Sequence, residues 1–250
     1  MVAAEGRRHG VSDTYEGMGE LHDLFMIDVW DALRPALVET FAHLGTDTTI
    51  LDIGAGTGLG TRALAQSTAA HVVAVEPSPI MRAVLLARVV DDPALVERVS
   101  VFAGAVPDIL DDVTGPVSGF VCAHMLGHLT PGQREATFAR LRGMLSPGGV
   151  GLITLPRPGA PTGEETVEEA TRIGGHRYLA RHRSRPGGAG STSEYLVLDG
   201  DRVLRRHAFV ASWQAPTLDQ LRSELDRAGL RLAGGSDDVV GLVRHVGAVA

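Results

Sequence analysis

The residues best placed to do chemistry are Asp52-Ile53-Gly54-Ala55-Gly56-Thr57-Gly58 and, 24 positions after Asp52, Glu76. Each closes a β-branched apolar run, Thr49 to Ile53 and Val72 to Val75. Glycines at a strand-to-helix turn let the backbone approach a ligand closely, and the N–H groups opening the next helix favour a carboxylate or phosphate. A carboxylate at the end of the following strand can accept both ribose hydroxyls of a nucleotide. The spacing narrows the choice of nucleotide. A dinucleotide fingerprint G-x-G-x-x-G needs a small third residue at position 59, which is Leu59, whereas G-x-G-x-G is satisfied at 54, 56 and 58. An NAD-dependent oxidoreductase is therefore the weaker reading.

A second set follows a later apolar run: His124-Met125-Leu126-Gly127-His128-Leu129. Histidine titrates near pH 6.5 and suits removal of a proton from an amine or phenol. His124 and His128 are spaced i, i+4, but they follow a strand, Gly127 interrupts them and no acid completes a ligand set, so no metal is expected. For His128 the plainer role is a polar cap on the next turn. Cys122 lies in an apolar strand pattern and reads as a small buried hydrophobe.

Composition removes several function classes. The chain has 250 residues, 44% of them hydrophobic, enough for one α/β domain with elaborations. All 23 basic side chains are arginine, so Schiff-base and P-loop lysine chemistry is absent by residue type. Asparagine is missing too, a bias that suggests a GC-rich genome such as an actinomycete's. A net charge of −7 argues against a nucleic-acid partner. With no apolar run near 18 residues and a polar, charged start, neither a membrane span nor a signal peptide is expected, and the expected location is cytoplasmic.

The elements that must position these groups alternate. Residues 12–44 carry helical spacing, with Pro35 as an expected break or first-turn residue. Strands at 49–53, 72–75, 99–102, 117–123 and 150–155 then alternate with helices at 59–67, 79–90 and 132–145, implying a parallel, doubly wound, Rossmann-like sheet. Ser146-Pro147-Gly148-Gly149 reads as the turn that ends one helix and launches the strand at Val150. Pro156 to Gly175 reads as a loop leaving the sheet, with room for a short acidic helix. Antiparallel strands follow at 176–185 and 193–213, the latter turned at Asp199-Gly200. The arginines at 177, 181, 183 and 185 read as a solvated strand edge, with an anionic acceptor or a dimer partner as the sharper alternative. Thr217 caps a helix to Ala228, and Leu230–Leu232 and Val239–Val246 return as strands. The expected single domain thus has a helical lid (1–47), a cofactor core (48–156 and 216–250) and an inserted antiparallel β cap (157–215).

The glycine turn with Glu76 resembles the class I S-adenosylmethionine-dependent methyltransferases. The resemblance implies a Rossmann-like α/β fold and S-adenosylmethionine as cofactor, with S-adenosylhomocysteine as product. Asp52, Gly54, Ala55, Gly56 and Gly58 would line its methionine end and Glu76 its ribose. Gly104-Ala105-Val106 occupies the place of an adenine-contacting triplet but lacks its acid, so Pro77 and Met81 would supply apolar stacking. Gly119 likewise stands where an Asp is common. His124 and Met125 would close the methyl-donor end. Tyr15-Glu16-Gly17, the pair Gly127-His128 and the order of hairpin cap then terminal helix are loosely similar to the macrolide amino-sugar N,N-dimethyltransferases. That similarity implies catalytic roles for Tyr15 and His128, with His124 a further candidate; His22-Asp23 departs from the group's Tyr-Asp. Tyr15 and Trp30 also fit plain helix packing.

These implications point to methyl transfer onto a small secondary-metabolite acceptor, nitrogen slightly ahead of carbon or oxygen, in a chain that could pair as a homodimer. The alternatives are a macromolecular acceptor, protein or RNA, and a non-catalytic cofactor-binding partner.

Overall fold

The computed structural model describes Tyr15 and residues 19–156, 165–184, 191–211, 215–234 and 239–246. Its centre is a seven-stranded sheet in the order β10-β11-β5-β4-β1-β2-β3. The strands are β1 (Thr49–Ile53), β2 (His71–Val75), β3 (Val99–Phe102), β4 (Val117–Cys122), β5 (Leu145–Thr154), β10 (Leu230–Gly234) and β11 (Val240–His245). The first five run parallel, whereas β11 pairs antiparallel with both β5 and β10. Burial on both faces explains the nearly continuous apolar runs of β1, β2 and β4. Alternate residues feed two cores. Ile50, Val72, Ala74 and Val121 face α1 (His22–Phe41), α2 (Leu59–Ser67) and α3 (Pro79–Val90). Leu51, Ile53, Phe120 and Ile153 face α5 (Pro131–Met144) and α6 (Leu218–Arg227). A single turn, α4 (Pro93–Val96), leads into β3.

Helix α1 runs unbroken through Pro35, contrary to the expected break. Trp30, Leu33, Ala36, Leu37 and Phe41 are buried on both sides of the proline, and that packing holds the helix despite the missing N–H. Two glycines seat it: a Cβ on Gly60 would lie 2.3 Å from the Trp30 ring, and one on Gly119 would lie 2.6 Å from Phe41. A side chain at position 119 would therefore collide with Phe41.

Three further expectations are corrected. Strand β5 begins at Leu145, with Ser146-Pro147-Gly148-Gly149 absorbed where the β4 register shifts, because the strand starts directly at the end of α5. The acidic stretch expected as loop or short helix contains β6 (Glu165–Ile173), paired along its length with β7 (His176–Ser184), where Glu168 faces Arg181. And β7 is no edge: the cap is a separate sheet in the order β6-β7-β8-β9, with β8 at Ser191–Asp199 and β9 at Arg202–Ala211. Arg181 lies on a solvated face inside that sheet, and Arg185 falls outside the described residues. The hairpin at Asp199-Gly200 forms as expected, Gly200 taking φ 56°. The cap docks on the start of α1 through Ala180 and Tyr195 against Leu21, Leu24 and Phe25. Among the described residues no helix is long and apolar enough to cross a membrane.

Candidate active site

Strand order reverses between β1 and β4, so the turns after β1, β2, β3 and β4 converge at one switch-point crevice. A cavity of about 420 Å³ opens instead at the opposite ends of the strands, beside Ser118, Gly149 and Arg244. The chemistry-bearing side chains lie at the carboxyl ends, and that end is the candidate site.

Gly54, Gly56 and Gly58 all take positive φ, 70°, 57° and 85°, conformations that strain any other residue. The turn is pinned to β2 by N–H groups of Gly54 and Ala55 donating to the Val75 carbonyl at 2.9 and 3.0 Å. Above Gly56 the nearest atom to an added Cβ is 4.0 Å away, so this part of the turn opens onto space. Gly54 is covered by Met125, whose Cβ lies 2.8 Å from where a side chain would begin. Glu76 is 4% exposed. Its carboxylate accepts from the N–H of Gly56 at 2.8 Å and of Ser78 at 2.7 Å, which fixes both oxygens across the mouth of the turn. Carboxylate oxygens accept more than one bond each, so the arrangement fits a ribose diol beside a backbone cradle. Asp52 sits one layer down, accepting from the Thr61 hydroxyl at 2.7 Å. Burial first, and the neighbouring Glu76 charge, raise its pKa to about 6 against the opposing Thr61 bond.

The adenine side is only partly as expected. Pro77 and Ala105 are exposed at the crevice and Gly104 is half-buried beneath Ile109. Met81 and Val106 are 1% and 4% exposed and present almost no surface. Met81 points into the core because its N–H closes the Ser78 cap that starts α3. Ile109, in the 3-10 turn Asp108–Asp112, is an apolar neighbour that no sequence signal marked.

After β4 the chain turns sharply. His124 is the one described non-glycine residue with positive φ, 54°, a conformation costing about 1–3 kcal/mol, and its N–H donates to Thr154 at 2.9 Å. Its ring stands edge-on to Trp30 at 6.0 Å. His128, in the turn Leu126–His128, is brought to Tyr15: Nε2 and Oη are 2.8 Å apart. It does not cap the next helix, since Thr130 and Gln133 form that capping box. His128 is exposed overall, yet one side of its ring is packed, and this burial lowers its pKa while solvent on the other side limits the effect. The neutral ring is thereby favoured, and in its Nδ1-protonated tautomer the phenol donates to Nε2. Trp30 packs in the core as plain helix packing predicts, its ring also meeting His124, while Tyr15 reaches His128. Cys122 is fully buried and burial drives its thiol pKa up, as befits an inert core residue. Among the described residues no cluster of three or more metal-ligating side chains occurs.

Residues that sequence reasoning did not single out complete the setting: Thr57 inside the turn, Arg88 on α3, and Arg134, whose Nη1 donates to the Leu129 carbonyl at 2.7 Å and steadies the loop that carries His128.

Residues 50–149 match a methyltransferase domain family. No curated protein matches. Among solved structures, DesVI of Streptomyces venezuelae is 18% identical over 90% of this chain and 96% of its own, with a TM-score of 0.70. KedS8, a sugar N-methyltransferase from Streptoalloteichus, is 19% identical over 98% of both chains, TM-score 0.66. S-adenosylmethionine-bound CalS10, an amino pentose methyltransferase from Micromonospora echinaspora, is 21% identical over 92% and 93%, TM-score 0.63. These findings displace the dinucleotide alternative. Residues 50–149 match a methyltransferase domain, and the chain has the fold of these methyltransferases.

Proposed function

We propose that this chain methylates nitrogen on a small natural-product amine, with the acceptor held between the glycine turn, the start of α1 and the β cap. The observation that carries this reading is the Tyr15–His128 hydrogen bond at the carboxyl end of β4, beside the crevice. When bound, S-adenosylmethionine supplies an electrophilic methyl carbon whose C–S bond breaks as the acceptor N–C bond forms.

Positioning an amine lone pair in line about 3 Å from that carbon is most of the catalysis. An amine arrives protonated at neutral pH and must lose that proton first. His128, kept neutral, takes a proton at Nε2 through the Tyr15 hydroxyl, or directly once Tyr15 shifts, leaving the amine lone pair bare. Glu76, Gly54, Gly56 and Gly58 hold the cofactor, and Pro77, Ala105 and Gly104 bracket its adenine. His124 and Trp30 form the apolar floor between donor and acceptor. The names of neighbouring structures support a small amine: a sugar N-methyltransferase, an amino pentose methyltransferase and a glycopeptide N-methyltransferase.

The test is incubation of the protein with methyl-labelled S-adenosylmethionine and a panel of amino-sugar nucleotides, amino acids and glycopeptides beside a metabolite-rich extract. Label on a small amine, lost in His128→Ala, is the expected result. Label only in precipitated protein or RNA overturns the acceptor class. Tight S-adenosylhomocysteine binding with no transfer to any acceptor favours a binding role.

A further inference from the structure

Where α1 meets the glycine turn, three elements are tied by a half-buried charged knot. The Thr57 hydroxyl donates to Asp23 Oδ1, the Thr57 carbonyl accepts from Arg88 Nη1, and Arg88 Nη2 donates to Asp23 Oδ2 at 2.5 Å. Each bond joins a different pair of segments: α1 to the turn, the turn to α3, and α3 to α1. Thr57 is 1% exposed and both of its oxygens are used. The Arg88 and Asp23 side chains are 16% and 28% exposed. Burial favours the neutral acid, yet hydrogen bonds from His22, Thr57 and Arg88, with the Arg88 charge, hold the Asp23 carboxyl well below the usual range. The knot is therefore charged at any working pH.

Just before and after Asp23, α1 carries the side chains that wall the acceptor side. His22 stands edge-on to Tyr15 at 6.3 Å and bonds Asp23 at 3.3 Å. Two turns on, Trp30 meets His124. Phe25 meets Tyr195 of the cap at 5.5 Å. The turn that holds the cofactor and the helix that walls the acceptor thus share one anchor.

We propose that Asp23 and Arg88 are positioning residues that transmit the state of the glycine turn to the first turns of α1, so that cofactor binding sets the acceptor wall around Tyr15 and His128. This rests on the glycine turn being the cofactor site. A ligand that fixes residues 54–58 fixes Thr57. The knot then fixes α1, and by linkage an ordered α1 favours cofactor binding to the same extent.

The experiment is amide hydrogen exchange of the full chain with and without S-adenosylhomocysteine, beside calorimetric affinities. In the wild type the ligand slows exchange in residues 20–34 roughly tenfold as well as in the glycine turn. In Asp23→Asn and Thr57→Val the affinity drops roughly tenfold, and the slowing in 20–34 disappears while that in the glycine turn persists. Thr57→Ser, which keeps the hydroxyl, restores both. A merely structural pair would lower the melting temperature equally with and without ligand and leave the slowing in α1 intact. That result overturns the proposal, and if Thr57→Val does not fold, Asp23→Asn alone decides. Absence of S-adenosylhomocysteine binding by the wild type would remove the cofactor reading beneath it; binding without transmission to α1 removes only this one.

Discussion

In the parallel layer Asp52, Glu76, Arg134 and Glu224 are each no more than 4% exposed and each has fixed partners, while in the cap Glu168, Arg181, Glu194 and Arg206 form a ladder open to water. Both regions use carboxylate–arginine pairs, but to different ends. A buried charge must be matched in geometry, so it fixes the loops around it. An exposed ladder contributes little energy and mainly distinguishes one strand register from its neighbours. The cofactor site is built on the first kind of charge. The second kind lies on the face of the cap turned away from α1, and Tyr15 with His128 joins the start of α1 to the loop after β4, at the seam.

The strongest way to break that contrast is Arg134. Its Nε and Nη2 donate to Glu224 at 2.8 and 2.7 Å, joining α5 to α6, and its third donor holds the Leu129 carbonyl. Arg134→Met strands a buried carboxylate and should cost about 3–5 kcal/mol in chemical denaturation. Arg134→Met with Glu224→Leu should recover most of that stability, because no uncompensated charge remains. Activity should stay low in the double variant, since the loop carrying His128 loses its tether.

Asp52 sharpens the contrast from within the core. Its folded-state pKa, about 6, lies above the ordinary 3.8, so the native state holds this proton longer than the unfolded chain. The contribution to stability is full below about pH 4 and is lost as pH rises to about 6, an effect on the order of 3 kcal/mol. Asp52→Asn, which can still accept from Thr61, should therefore raise stability at neutral pH and flatten its dependence across that window. Denaturation midpoints measured from pH 4 to pH 7 decide it; an unchanged slope means that Asp52 is charged in the native state.

At the seam, His128→Ala and Tyr15→Phe should lower kcat roughly 100-fold while leaving S-adenosylhomocysteine affinity within about twofold, as expected of groups that move a proton rather than hold the cofactor. Because burial lowers the His128 pKa, the acid limb of kcat/KM should fall below the ordinary value of 6.5, activity being lost as pH drops through it. Loss of cofactor affinity in either variant would place the pair in the binding site instead.

The two regions also differ in how far they could be read from the chain. The glycine turn, Glu76, the β1 to β4 alternation and the Thr217 cap were legible because each is local: a run, a spacing, a cap three residues from its partner. Tyr15 and His128 were legible as candidates only through a family resemblance, and their contact was not, since 113 residues separate them. What escaped was decided by distant packing. Helix α1 passes Pro35 because five buried side chains outweigh one missing bond, and β6 is a strand because β7 offers its acidic residues a basic partner strand. Met81 looked like a stacking surface, but its backbone closes a helix cap and turns the side chain inward. Asp23, Thr57 and Arg88 carry no spacing signal at all, coming from three elements that only the docking of α1 brings together.

The smallest expected effect belongs to the cap ladder. Arg181 bonds Glu168 at 2.7 Å and reaches Glu194 at 3.5 Å, but it is 44% exposed and water can replace both partners. Arg181→Ala should leave the melting temperature and S-adenosylhomocysteine affinity where they were. Glu168→Arg should do more, because like charges would then face each other across the β6–β7 pair, and hydrogen exchange in β6 should quicken while β1 to β5 stay protected. If Arg181→Ala instead lowered the melting temperature as much as Arg134→Met, the ladder would not be solvated charge at all. Some element or second copy would then have to cover that face in solution, and the contrast between the two regions would vanish.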